Sequence, residues 1–320
     1  MKKIASYLAI ALASLSLVAC RSTTGNSQAP KEKVTVGILQ YMEHDSLTAA
    51  RKGFEAELKK EGYVSGKNLT LDYQNAQGDQ SNLQTISEQL VKKSDLILAI
   101  ATPAAQSLAT VSTDKPVVFT AVTDPMSADL VQSLKKPGGL ITGTSDQAPI
   151  NKQVDLLKQA LPKAKEIGIL YTSSERNSEV QVKEAEKYLK KAGYKVVKKG
   201  ISSTNDVQDA TNSLMKTADA LFVPTDNTVA STMTMIGELS VEHHVPVIGG
   251  STDMVDAGGL LTYGTNYKEL GKQVAKQAVK ILKGQDPAKT PVEAPKKLEL
   301  HINKDLAKKL GIDVSHLSVK

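Results

Sequence analysis

From residue 34 to near residue 303, short apolar runs alternate with longer amphipathic stretches. Runs at 34–39, 69–73, 96–101, 117–121 and 141–144 have the length and near-continuous apolar character of strands covered on both faces. The stretches between them predict helices at about 46–61, 79–93, 103–112 and 126–134. In the first, Leu47, Ala50, Phe54 and Leu58 keep helical spacing and Gly62 ends the helix. The programme then restarts, with strands predicted at 167–171, 194–201, 220–223, 245–248 and 260–263 and helices at 177–192, 205–217, 227–242 and 251–257. Val36-Gly37-Ile38-Leu39 and Ile167-Gly168-Ile169-Leu170 open the two halves almost identically. Such alternation predicts an α/β protein of two doubly wound, Rossmann-like parallel-sheet domains.

The end of the chain adds a connection. A helix over about 266–283 stops at Gly284, and an extended run at 298–303 precedes a short helix at 304–310. If the long helix packs on the first domain and the last strand returns to the second, three crossings join the halves, the first within 147–164. The expected lobes are then 33–147 plus about 266–284, and 148–265 plus about 285–320. Adjacent linkers of this kind form a multi-strand hinge with a ligand cleft between the lobes.

The N-terminus carries a different pattern. Met1-Lys2-Lys3 is followed by a stretch from Ile4 to Ala19 broken only by Ser6, Ser14 and Ser16. A basic start, an apolar middle and small residues at the end predict a signal peptide over 1–19, shorter than the ~20 apolar residues of a spanning helix. The run Leu17-Val18-Ala19-Cys20 resembles the lipobox of bacterial lipoproteins, which implies lipidation of Cys20, the only cysteine of the chain. Two acyl chains satisfy the two-signal requirement for stable anchoring. Residues 20–32 are polar and aperiodic and predict a flexible tether. The expected address is therefore extracytoplasmic, on the outer face of the bacterial cell membrane.

Composition sharpens this only by exclusion. The formal charge of +6 drops to +4 without Lys2 and Lys3, and the lysines are scattered over predicted helix faces. No nucleic-acid motif is present, so no nucleic-acid partner is expected. A lone, lipidated cysteine rules out disulfides and a cysteine nucleophile. G-x-S-x-G, H-E-x-x-H, the Walker A loop and G-x-G-x-x-G are all missing. Glu43-His44-Asp45 and Glu242-His243-His244 are the compact His/acid clusters, and three consecutive residues seldom converge on one metal. The expectation is a monomer without metal or cofactor, and not an enzyme.

Ligands of doubly wound sheets sit outside the carboxyl ends of the strands. That rule selects Tyr41 and Glu43, Thr102, Thr123 and Asp124, and Asp146 in the first half. In the second half it selects Tyr171, Asn177 and Ser178, then Thr225, Asp226 and Asn227, then Ser251 and Asp253, and Tyr263. Hydroxyls, amides and single carboxylates orient a small polar ligand. Thr102, Asp124, Asn177, Asp226 and Ser251 also stand where helix N-caps are preferred. The two roles are compatible, because a helix N-terminus also attracts a carboxylate.

At these loops the chain resembles a known family. Leu98-Ala99-Ile100-Ala101-Thr102-Pro103, Val117-Val118-Phe119-Thr120-Ala121-Val122-Thr123-Asp124-Pro125, Phe222-Val223-Pro224-Thr225-Asp226-Asn227 and Tyr263-Gly264-Thr265-Asn266-Tyr267 are similar to the tryptophan/tyrosine-type substrate-binding lipoproteins of bacterial ABC transporters. The resemblance runs from about Val34 to His301. It implies the type I periplasmic binding protein fold and capture of a small amino acid, of aromatic type, for an ABC permease with its ATPase. With such a ligand, Asp226, with Asn227, is the expected partner of the ammonium, with Asp124, Asp146 and Asp253 as alternatives. Thr102 and Thr123 are then expected near the ligand carboxylate, and Tyr41, Tyr171 and Tyr263 against its aromatic side chain. Asp45 departs from the proline that commonly follows Glu-His in that family. Two other readings stay open: an extracytoplasmic α/β enzyme, and a sensor lipoprotein binding a sugar or nucleoside. Neighbouring permease and ATPase genes would separate transport from sensing.

Overall fold

Two sheets account for the alternation in the computed structural model, which describes residues 33–111 and 114–319. The signal peptide, Cys20 and the tether lie outside the described residues. In the first sheet the strands β1 (Val34–Gln40), β2 (Leu69–Asn75), β3 (Leu96–Ile100), β4 (Val117–Val122) and β5 (Ile141–Ser145) stand in the order β2-β1-β3-β4-β5, all parallel. The second sheet holds β6 (Glu166–Thr172), β7 (Lys195–Ile201), β8 (Ala220–Phe222), β9 (Val247–Ile248), β10 (Leu261–Thr265) and β11 (Leu298–Ile302). Its order, β11-β10-β9-β8-β6-β7, repeats the winding of the first and adds one antiparallel edge strand. Strand order reverses beside β1 and beside β6, and ligand crevices open at such switch points.

Helices α1 (Asp45–Lys60), α2 (Gln80–Lys93) and α3 (Thr102–Thr110) follow the first three strands. Residues 126–134 do not continue the pattern. Pro125 and the side chain of Asp124, whose Oδ1 accepts from the amides of Met126 and Ser127, start a single turn. Asp129 then turns left-handed, at φ 58°, and the turn stops. Conversely, 147–164 contains a helix the pattern reading missed, α4 (Ile150–Ala160), which buries Ile150, Val154 and Leu157 on the second core.

In the second lobe α5 (Arg176–Lys191) and α6 (Val207–Met215) cover the sheet. The stretch 227–242 splits into α7 (Asn227–Ala230) and α8 (Met233–His243). The hydroxyls of Ser231 and Thr232 bond back to the carbonyls of Thr228 and Val229, competing with helical continuation. The helix α9 (Thr252–Ala257) precedes β10.

After β10 the chain returns to the first sheet. Helix α10 (Tyr267–Leu282) lies on α1 and on β4. A Cβ on Gly271 would stand 1.9 Å from the carbonyl oxygen of Ala50, and one on Gly53 would stand 2.1 Å from that of Lys268. The two glycines therefore let the backbones touch. Residues 283–297 then run past β5, where Ser145 donates to the carbonyl of Glu293. They lead into β11 and α11 (Lys304–Lys309). One large core lies under the first sheet and α10, and two lie around the second sheet. Among the described residues no helix is long and apolar enough to cross a membrane.

Candidate functional site

The carboxyl ends of the two sheets face each other across a cleft whose rims touch. Among the side-chain bonds that bridge it are His44 to Asn227 (3.3 Å), Ser46 to Ser251 (3.1 Å), Thr123 to Thr225 (3.2 Å), Gln181 to Thr123 (3.3 Å), and Arg176 to the carbonyl of Ser127 (3.3 Å). A small, narrow cavity lies between these contacts. Its first-lobe lining includes Ser46 and Leu47 in the first turn of α1, Ala121 at the end of β4, Asp146 just after β5 and Tyr267 at the start of α10. The opposite side presents Asn177, Asp226 and Asn227, with Ala230 and Met254 as apolar surface.

Local backbone strain marks the first-lobe side. Ala101 and Ala121, at the ends of β3 and β4, have φ of 86° and 56°, a region costly for residues with a Cβ. Such strain clusters where a loop is held for function.

On the second-lobe wall, Asp226 and Glu175 form a network in which each of their carboxylate oxygens is bonded. Asp226 caps α7 through the amide of Val229 (2.8 Å) and reaches back to β6, accepting from the amide and hydroxyl of Thr172. The Ser178 hydroxyl donates to its other oxygen (2.7 Å). Burial first, and then the negative charge of Glu175, raises the Asp226 pKa to about 7. Glu175 accepts from the Asn177 side chain (3.1 Å), from the amide and side chain of Asn227 (3.1 and 2.6 Å) and from the amide and hydroxyl of Thr228 (3.0 and 2.8 Å). Asn177 also donates to the carbonyl of Thr225 (3.0 Å). Both of these acceptors face its Nδ2, so its Oδ1 is left without a partner.

Asp146 is built in the opposite sense. It is 2% exposed, and its Oδ2 accepts from the phenol of Tyr267. Its Oδ1 has no hydrogen-bond partner among the described residues. Burial raises its pKa, opposed by the Tyr267 and Thr123 hydroxyls. The Tyr267 phenol is held well above its ordinary value by burial and by Asp146. An isolated buried acceptor costs ~1–3 kcal/mol, so these two lone oxygens, Asp146 Oδ1 and Asn177 Oδ1, mark the part of the cavity where a donor is wanted.

The expected residues divide into groups. Asp146, Asn177, Thr225, Asp226, Asn227 and Ser251 line the cavity. Thr123 and Ser178 stand behind it, bonded to Thr225 and Asp226. Tyr41 is buried, and its phenol is raised by burial and by Glu175 and Asp226 across the cleft. The pKa of Asp253 is raised by burial and opposed by a bond from Ser46 of the other rim. The others fall elsewhere. Glu43 is exposed and bonds Thr48 and Asn75. Thr102 is buried at the start of α3 with its hydroxyl unpartnered, outside the lining. Asp124 is absorbed by its turn. Tyr171 lies over Gly200, and Tyr263 packs on the second-lobe core. Residues alternate between the two faces of a strand, so lying near a strand's carboxyl end did not aim either ring at the cleft. Sequence reasoning missed Ser46, Leu47, Ala121, Ala230, Met254 and Tyr267 as lining residues. His44 stands out in the sequence as a member of a compact His/acid cluster. The loop before Tyr267 was visible, but the ring looked like part of a helix.

The relatives match this arrangement. Residues 35–319 match the family model for ABC transporter substrate binding proteins. A tyrosine-binding protein of Clostridioides difficile is 40% identical, over 99% of this chain and 94% of that protein. A solved domain from Streptococcus pneumoniae in complex with L-Trp is 40% identical, with a TM-score of 0.86 over 89% of this chain and 97% of its own. The ligand-free, open structure of a substrate-binding protein with adhesive properties from Clostridium difficile is 41% identical over the same shares, yet its TM-score is 0.69. At nearly equal identity, this chain superposes better on the L-Trp complex than on the ligand-free, open structure. These matches over nearly the whole chain show that the protein belongs to the ABC transporter substrate-binding protein family, with the type I periplasmic binding fold.

Proposed function

We propose that the cavity binds an aromatic amino acid, held by its ammonium between Asp146 Oδ1 and Asn177 Oδ1. The observation that carries this is the pair of unpaired buried acceptors on opposite walls of one cavity. An ammonium offers three donors and a positive charge, which meets both oxygens and favours the ionised form of Asp146 against its burial. Asp226 does not suit that role, because four donors already occupy it. The ligand carboxylate is assigned to the first turn of α1. The amides of Ser46 and Leu47 have no intrahelical acceptor there, no side chain caps the helix, and the dipole favours an anion. The side chain then lies along Leu47, Ala121, Ala230 and Met254. The L-Trp bound in the pneumococcal domain and the name of the tyrosine-binding relative agree with this class.

In the wider reading, lipidated Cys20 anchors the protein outside the cell, and the lobes 33–147 plus 266–284 and 148–265 plus 285–320 close about their three crossings. The closed form passes its ligand, chemically unchanged, to a permease with its ATPase. Calorimetry with L-tryptophan, L-tyrosine, L-phenylalanine, indole-3-propionate and glucose tests the binding reading. An aromatic amino acid should bind, and indole-3-propionate, which lacks the ammonium, should bind at least ~100-fold more weakly than tryptophan. Tight binding of glucose with no response to any aromatic amino acid would reject the proposal.

A further inference from the structure

Glu175 stands at the N-cap position of α5 but its side chain caps none of that helix's backbone amides. It is 2% exposed. Its carboxylate instead collects five donors from Asn177, Asn227 and Thr228. Two of these residues carry amides whose orientation matters. Asn177 gives Nδ2 to Glu175 and so turns Oδ1 away from it, unpaired, in the cavity lining. Asn227 gives Nδ2 to the same oxygen, Glu175 Oε2, and turns its Oδ1 to the ring of His44 on the other lobe. An amide rotated by a half turn presents a donor in place of an acceptor. Either rotation would set a donor against a ligand ammonium or break the bridge to His44.

We infer that Glu175 is a positioning residue which fixes both amides at once, so that one carboxylate couples recognition of the ligand's ammonium to closure of the lobes. This rests on the reading of the cavity as an amino-acid site. The carboxylate suits the task because it only accepts. A glutamine of the same shape must put an amide donor near one set of donors, and Asn177 and Asn227 then gain by flipping.

The test is Glu175→Gln, measured by calorimetry with L-tryptophan and with indole-3-propionate. Wild type is expected to prefer tryptophan, and Glu175→Gln to lose at least about tenfold of that preference. Asn177→Leu should lose it as well, and the double variant should be little worse than either single one, because the effects share one bond. At saturating tryptophan, small-angle scattering should show Glu175→Gln more open than wild type. Equal weakening toward both ligands, or an intact preference beside a lower melting temperature, would reduce Glu175 to a structural residue and overturn the inference. A wild-type protein without preference would remove the ammonium reading and the inference together. If Glu175→Gln does not fold, wild-type NMR decides. The side-chain amide protons of Asn177 and Asn227 should exchange far more slowly than those of exposed Gln80, and equally rapid exchange would overturn the clamp.

Discussion

On the second lobe's wall Glu175 and Asp226 have both carboxylate oxygens occupied, each accepting from three residues of their own lobe. On the first lobe's wall Asp146 has one oxygen on Tyr267 and the other on nothing. The two walls thus carry buried carboxylates of opposite purpose. A satisfied network fixes rotamers and gives a rigid surface. An unsatisfied acceptor leaves a cost that only a donor from outside the protein can relieve. A buried acid in a cleft is therefore not a ligand contact by virtue of burial alone. The count of donors already around it decides.

The largest expected effect breaks the first wall. Asp146→Ala should weaken tryptophan or tyrosine binding by ~3–5 kcal/mol, several hundredfold or more. Unchanged affinity in calorimetry would put the ammonium elsewhere. The mirror experiment is Asp226→Ala, which strands the Thr172 and Ser178 hydroxyls and two amides. Its main signature should be a loss of about 3 kcal/mol or more of stability in denaturant melts. A variant of normal stability that binds no ligand would return Asp226 to the ligand-contacting set.

A smaller effect concerns pH. The folded pKa of Asp226 is raised to about 7, mainly by burial, and those of Asp146 and Asp253 are also raised by burial. Each folded-state carboxyl holds its proton more tightly than the unfolded chain does. Their contribution is complete below the ordinary carboxylate pKa and is lost as pH rises through the folded value. The contribution of these three carboxyls should therefore fall from about pH 4 toward pH 7, against an opposite contribution from buried His44, whose pKa burial lowers, and bound amino acid should recover part of the loss at Asp146. The difference in melting temperature between wild type and Asp226→Asn should accordingly move against wild type as pH rises, and a difference that moves in its favour would contradict the sign. The smallest effects are expected at the misplaced rings. Tyr171→Ala and Tyr263→Ala should change ligand affinity less than about twofold, since both pack within the second lobe. A tenfold loss in either would restore it to the cleft.

Much of the fold was legible because periodicity and composition agreed along the sheets. The apolar runs of β1 and β3 and the Leu47, Ala50, Phe54 and Leu58 stripe of α1 leave little choice of element. Reading failed where one residue's backbone state decided the matter. The left-handed turn at Asp129 ended a helix that the pattern favoured, and the hydroxyls of Ser231 and Thr232 split another. At the site, the rule of strand carboxyl ends found Asp146, Asn177 and Asp226 but could not rank them. Ranking required knowing that Thr172, Ser178 and Val229 surround Asp226, while Asp146 Oδ1 makes no hydrogen bond among the described residues and the nearby Thr123 hydroxyl is bonded to Thr225 and Gln181. Those partners lie far apart in sequence, and no spacing encodes them. Tyr267 was hidden for a related reason, because its ring enters the cleft from a helix that crosses back from the other sheet.

A crystal structure of the protein with L-tryptophan or L-tyrosine tests the central claim most directly. The account predicts the ligand nitrogen at about 2.8 Å from both Asp146 Oδ1 and Asn177 Oδ1, in ordinary charge-assisted hydrogen bonds, with Asp226 still bonded to Thr172 and Ser178. A ligand nitrogen seated on Asp226 or Glu175, or a ligand outside this cavity, would contradict it.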